Sequence, residues 1–467
     1  MTSWLTLANH RFSPYTEEAG ALLKIAGPLI LASLVSMGIS ITDVVMMGWL
    51  SSTALAAGAA VSDYYSVFFY LTAGIVAAIS PMISQSLGAR QSYKIRSITQ
   101  QGFMIAMGIT IPGAIMVWNA DVMLHWLGIE TLVVEMGQPY AHMMAFTYFA
   151  MMAVNVLHYF LSAHGKTSVI LIITATALPI NALGNYALIF GNFGLPELGL
   201  LGAGLASLIS ASYMFLMLLL YTTNHEVLKR YRLLAKPFTH GDNYIPEIFR
   251  VGSPIGLSNL GEMGVFLFAT VTMGVFGVEV LAAHTIALRM AGVLYAFPMG
   301  MAQAATVRVG YAIGAKNSES VHRIMKTALS LSVVSGTAFL IGTLLLSSQI
   351  VGWFLNGQSV ASIQTQAAMF LILLAIIQPF DGLGCVGAGI LRGFKDTQIP
   401  MVFSILAFWG VGFIGGWSLA FVAGMQGMGI WIGLAGSAIA YSLFIGLRLH
   451  WYFFNKRKRV NLAFVNS

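Results

Sequence analysis

Four carboxylates stand where a carboxylate is costly. Asp43, Asp63, Glu262 and Asp381 fall inside long apolar stretches, whereas most of the sixteen acids lie in polar connections. A charged side chain at mid-bilayer costs roughly 2.5 kcal/mol or more on insertion scales. Such a residue faces a cavity or a partner. Away from water a carboxyl either holds a cation or takes up a proton and becomes neutral. The plainer reading, a paired or protonated structural group, weighs most at Asp63.

Two amides add to this set. Asn181 and Asn185 are four apart, on one helical face, just after Pro179. With Asp43 they offer hard oxygen ligands of the kind that suit Na⁺; Asp43 can equally serve a proton. The same amides can simply hold helices together. The chain also carries Arg289 and Arg308 in apolar surroundings, and Arg308, near a span end, reads as a snorkelling cation. Its 26 methionines and many aromatics suit a promiscuous lining for apolar cations, although most must pack helices or face lipid.

The elements that must position these groups are membrane helices. The chain has 467 residues, 58% hydrophobic and 8% charged, against about 25% charged in soluble proteins. Lipid is its solvent, and uncapped backbone at that depth satisfies itself as helix. Spans are predicted at roughly 25–50, 58–86, 99–119, 135–163, 168–190, 200–221, 247–275, 282–313, 325–350, 363–390, 398–424 and 428–454. Basic residues crowd the even-numbered connections: Arg90, Lys94 and Arg96; Lys166; Lys229, Arg230, Arg232 and Lys236; Lys316, Arg323 and Lys326; Arg392 and Lys395. The tail adds Lys456-Arg457-Lys458-Arg459. The odd connections hold no Lys or Arg, only acids such as Asp121, Glu130, Glu197 and Glu279. Both termini are therefore expected in the cytoplasm of a multi-pass plasma-membrane protein, the inner membrane in a bacterium.

Shifted by 226 residues, the chain matches itself. Pro28 falls on Pro254, Met37-Gly38 on Met263-Gly264, Met47-Gly48 on Met273-Gly274, and Gly88-Ala89 on Gly314-Ala315. Six spans per half give both halves the same orientation, a parallel repeat about an axis along the membrane normal. Folds built this way place substrate between the halves. The expected fold is all-α: twelve transmembrane helices in two pseudo-symmetric six-helix lobes, 1–221 and 247–454, with a linker at 222–246 and a basic tail at 455–467. At this shift Asp381 meets Asn155, Glu262 meets Ser36, and Arg289 meets Asp63. Ser36 and Asp43 share a face of span 1, seven residues apart. Two non-identical polar sites follow, one per half. Asp63, Arg289, Asn155 and Ser36 are candidates for a cavity or gate, with Asp63 and Arg289 pairing either across the halves or within them.

Several chemistries are excluded. The net charge of +7 sits at helix ends and makes no nucleic-acid surface. One cysteine, Cys385, allows neither a disulfide framework nor a zinc site. Gly382-Leu383-Gly384-Cys385-Val386-Gly387 lies inside an apolar helix and cannot be a dinucleotide turn. Gly165-Lys166-Thr167 lacks the first glycine of a phosphate loop, position 160 being Phe160; ATP is not expected as the energy source. No Ser-His, paired-Asp or metal motif supports an intramembrane enzyme, so the chain is expected to be no enzyme and to need no cofactor. The first residues, Met1 to Tyr15, lack the pattern of a cleaved signal peptide.

At three helix ends the chain resembles the multidrug and toxic compound extrusion (MATE) family. Pro81-Met82-Ile83-Ser84-Gln85-Ser86-Leu87-Gly88-Ala89 is similar to its P-x-x-[S/A]-Q-x-x-G-A exit. Arg308-Val309-Gly310-Tyr311-Ala312-Ile313-Gly314-Ala315 resembles R-V-G-x-x-x-G-A, and Gly389-Ile390-Leu391-Arg392-Gly393-Phe394-Lys395-Asp396-Thr397 resembles G-x-L-R-G-x-K-D-T. The resemblance implies a V-shaped pair of lobes and Na⁺- or H⁺-driven antiport of organic cations, drugs or a host-made natural product, by a monomer. It places the span 1 acid on Asp43, the span 5 pair on Asn181 and Asn185, and the acids of spans 7 and 10 on Glu262 and Asp381. Asn185, an acid in the DinF-like branch, favours the NorM-like one. A flippase of lipid-linked oligosaccharide or lipid shares the broad fold, but would line its cavity with more cations than Arg289.

Overall fold

The computed structural model describes residues 14–233, 242–355 and 361–454. Lys236 and the basic tail lie outside the described residues. Among the described residues twelve helices are long and apolar enough to cross a membrane: α1 Pro14–Leu50, α2 Ser52–Gly88, α3 Ser92–Trp118, α4 Thr131–Ala163, α5 Thr167–Ile189, α6 Leu200–Asn224, α7 Ile245–Val275, α8 Val278–Gly314, α9 Ser318–Phe354, α10 Ser362–Gly393, α11 Gln398–Val422 and α12 Gln426–Phe453. The described residues contain no strand. The chain is an all-α polytopic membrane protein, as the apolar runs require. Several helices start well before their apolar spans, α1 at Pro14 and α9 at Ser318. Hydropathy marks the lipid-crossing part, and the backbone ladder continues into the polar flanks.

Two helices depart from regular geometry. α2 breaks between Val76 and Ile79. Pro81 has no N–H to offer Ala77, and the Ser80 N–H bonds that carbonyl instead, at 3.1 Å. α11 winds as a wide π-helix over Leu406–Gly415 and again over Ser418–Val422.

The repeat reaches into the backbone. α2 closes with Arg90 at φ 58° and α8 with Lys316 at φ 56°. In each turn the left-handed residue bonds back three positions and its successor five: Arg90 N–H to Leu87 and Gln91 N–H to Ser86, then Lys316 N–H to Ile313 and Asn317 N–H to Ala312. This is the helix-ending bond pair of a Schellman turn, repeated 226 residues on. α4 and α10 end in the same turn, but their left-handed residues are Gly165 and Lys395, so here the offset has grown to 230. The connections and helices between α3 and α4 differ in length from those between α9 and α10. In this register Asp381 matches Met151, and the match to Asn155 at constant shift is corrected.

One compact unit comprises residues 31–257, the other 1–30 with 258–467. Glycine permits close helix approach within each. A Cβ on Gly252 of α7 would lie 2.1 Å from the Ile75 carbonyl oxygen of α2; one on Gly300 of α8 would lie 2.6 Å from Ile30 of α1. Arg308 does not snorkel: its guanidinium donates to both Glu18 carboxylate oxygens, at 2.9 and 2.8 Å. Asp396 ties the α10–α11 turn to α12, accepting from Arg448 at 2.8 Å and from the Tyr452 hydroxyl at 3.0 Å.

Candidate functional site

In the 31–257 unit the structure brings Asp43, Asn181 and Asn185 together. The four-residue spacing stacks the two amides on α5, both fully buried. The Asn185 amide nitrogen donates to Asp43 Oδ1 at 2.6 Å and to Asn181 Oδ1 at 3.2 Å. Gly184, between the amides, lets α6 approach; a Cβ there would stand 3.1 Å from Ala206. The next residue, Ser207, thereby comes beside Asp43. Tyr140 of α4 lies within electrostatic reach of the same carboxylate and shares a hydrogen bond with Ser62, at 3.2 Å.

The polar atoms here are only partly matched. Asn185 Oδ1 is buried without a hydrogen-bond partner, while Asn181 and Ser207 face the Asp43 carboxylate. Unmatched buried polar atoms are costly and call for a function. A carboxylate, two amide oxygens and a hydroxyl form a hard-oxygen donor set of the kind that suits an alkali cation. The Asn185 amide occupies one oxygen of the carboxylate: a cation that takes this oxygen displaces the amide, whereas a proton on the other oxygen need not.

The other unit assembles a different site. Glu262 of α7 and Asp381 of α10 line one cavity of about 300 Å³, with Tyr295, Gln378 and Ser437 as polar companions and Phe408 and Trp431 as apolar wall. Gly261 and Gly264 flank Glu262 and seat Trp409 of α11 on the α7 backbone; its indole donates to the Gly261 carbonyl at 3.0 Å. Tyr295 and Cys385 stand beside the two acids, and Arg392 is within electrostatic reach of Glu262. Among the described residues no group of three or more His, Cys, Asp or Glu could hold a metal ion.

The remaining candidates are not among the contacts of either site. Ser36 is exposed on α1, two turns before Asp43. Asp63 on α2 and Arg289 on α8 have exposed side chains. Asn155 is half-buried with its Nδ2 unpartnered. Residues 407–415 of α11, which match the 181–185 stretch at either offset, include no amide or acid, so the two units carry different chemistry. Sequence reasoning missed Ser207, Tyr140, Tyr295, Gln378 and Ser437. Only the spacing of Ser207 after the small-residue run Gly202-Ala203-Gly204 hinted at one of them.

A family model described as MatE matches residues 28–187 and again 254–418, the two matches starting 226 residues apart. A probable multidrug resistance protein NorM of Synechocystis sp. is 33% identical over 437 residues, covering 91% of this chain and 93% of the relative. One of the same description from Brucella suis is 34% identical over 425 residues, 90% of each. The crystal structure of the eukaryotic MATE transporter AtDTX14 matches with a TM-score of 0.86 at 22% identity, over 97% of this chain and 99% of that one. A Vibrio cholerae MATE transporter, VcmN, matches at 0.85 with 16% identity, over 95% and 98%. At such identities the likeness to the solved structures is one of fold.

Proposed function

The chain belongs to the MatE family, and from that premise we propose that it is a NorM-like secondary exporter, expelling organic cations and drugs, or a host-made natural product, in exchange for Na⁺ or H⁺. The observation that carries this reading is the Asp43–Asn185 hydrogen bond inside an apolar helix pair. A cation bound at the same oxygen of Asp43 displaces that bond, and a proton on the carboxyl weakens it by removing the acceptor's charge. Losing it frees α1 from α5, and a helix freed in one loading state and held in the other is what alternating access needs. Glu262 and Asp381 form a second ion site whose two carboxyls share one cation or exchange one proton.

The bacterial inner membrane is the proposed location, with both termini in the cytoplasm and the chain acting as a monomer without ATP. Efflux measured in inverted vesicles, with Na⁺ and pH gradients imposed separately, tests the reading. Export driven by either gradient supports it and names the ion; export that needs neither would remove it.

A further inference from the structure

Glu262 sits in a weak piece of helix. Gly261 precedes it and Gly264 follows two residues later, and glycine favours helix less than any residue but proline. Intrinsic propensity therefore does little to fix this turn of α7. Neighbouring helices set titratable groups around the carboxyl: Tyr295 from α8, Asp381, Cys385 and Arg392 from α10, and Tyr441 from α12. α11 adds none, having no titratable residue from Gln398 to Val422.

α11 reaches the site in another way. Within its π-helical stretch Leu406–Gly415, consecutive residues face different partners. Phe408 walls the cavity, and Trp409 lies along the α7 backbone. The indole N–H donates to the Gly261 carbonyl at 3.0 Å. The other edge of the ring covers Gly264, where an added Cβ would lie 2.8 Å from Cζ2. One turn on, the Phe413 ring stands 5.4 Å from that of Trp409 and 4.1 Å from that of Phe268. The contact thus follows one face of α7, through positions 261, 264 and 268.

The bonded carbonyl belongs to the peptide unit that ends in the Glu262 nitrogen. That unit is planar. Holding its oxygen holds the Glu262 N–Cα bond, and with it the direction in which the carboxyl leaves the helix. We infer that Trp409 is a positioning residue for the Glu262–Asp381 pair: its indole sets the angle at which Glu262 meets Asp381, and so the affinity of the pair for the coupling ion. This rests on the proposed reading of the pair as an ion site. In the other unit α5 brings its own amide to Asp43; α11 brings a hold on the backbone instead.

The test uses the full chain in proteoliposomes, with ethidium as the transported cation. Two constants are read separately: the half-saturating concentration of the ion that drives the wild type, and KM for ethidium. Tm in detergent reports the fold. Trp409→Phe keeps a ring and loses the N–H. It is expected to raise the ion constant about fivefold, the worth of one ordinary hydrogen bond, with KM and Tm near wild type. Gly264→Ala keeps the indole but pushes it off the backbone, and the same shift is expected. Trp417→Phe, the same change two turns further along α11, should leave the ion constant unchanged. An unshifted ion constant in Trp409→Phe, or in Gly264→Ala should Trp409→Phe not fold, would overturn the inference. So would an equal shift in KM, or in Trp417→Phe. Glu262→Gln in the same assay separates the two levels. A wild-type ion response there removes the ion-site reading and this inference with it. A defective Glu262→Gln beside a normal Trp409→Phe removes only the role of Trp409.

Discussion

Asn185 donates its amide to Asp43 at 2.6 Å, across 142 residues of chain. Two helices far apart in sequence are joined here by a bond whose acceptor is also the chemically active group. Asp43→Asn is expected to abolish gradient-driven export at normal expression, because an amide takes up neither proton nor cation. Asn185→Ala is expected to lower coupled export by at least about tenfold, since an unpartnered carboxylate of this burial loses one charge-assisted bond. Normal drug resistance in cells carrying Asp43→Asn would refute the assignment.

Glu262 and Asp381 share one cavity, so their effects should not multiply. Glu262→Gln, Asp381→Asn and the double variant are expected to damage counterflow to about the same extent, as groups acting as a unit do. Ser36→Ala, at an exposed position, should do far less. Independent, multiplicative losses would give the two acids separate jobs.

Orientation can be read with thiols. In a Cys385→Ser background, Leu195→Cys is expected to react with an impermeant reagent added outside intact cells, and Ser92→Cys only after permeabilisation. Both positions are exposed. The opposite pattern would invert the topology.

Close helix contact at glycine predicts a large cost for one methyl group. A Cβ on Gly389 of α10 would lie 2.4 Å from the Ala302 carbonyl oxygen and 2.7 Å from its Cα. Neither atom can rotate away, and Gly389→Ala should destabilise by about 2 kcal/mol. Gly342→Ala, with open space around its Cβ, should be neutral or gain up to about 1 kcal/mol. Thermal unfolding in detergent distinguishes the two.

His164 follows the last residue of α4. Its Nδ1 donates to the Phe160 carbonyl at 2.7 Å, while Nε2 is buried with no partner. Burial holds the imidazole down at about 4, below its ordinary 6.5, and the Arg230 and Lys166 charges push the same way. The unfolded chain takes up this proton more readily than the folded one. The stability due to neutral His164 is therefore full above pH 6.5 and is lost as pH falls toward 4. His164→Gln is expected to flatten the Tm–pH curve in that window; an unchanged slope would count against this account.

The large features were legible because each rests on a local pattern. Apolar runs mark helices, and a four-residue step stacks Asn181 on Asn185. What escaped rests on distant chain. Glu18 and Arg308 are 290 residues apart, and nothing local says that one will neutralise the other. Ser207 and Tyr295 belong to residue types too common in membrane helices to stand out. The slip of the repeat from 226 to 230 is visible only where backbone turns can be compared, because leucine-rich helices match one another in several registers.

The helix-ending turns have one more implication, for how this chain enters a bilayer. Arg90, Lys316 and Lys395 hold positive φ, where a residue other than glycine costs roughly 1 kcal/mol; Gly165 shows that glycine can make the same turn. Glycine at all four would give a more stable fold and a chain with fewer charges to retain on one side during insertion. On the proposed orientation these three cations lie on the cytoplasmic side, where insertion favours a cation and native stability favours glycine. A variant with glycine there should unfold at higher temperature once inserted, and yet insert in the wrong orientation more often.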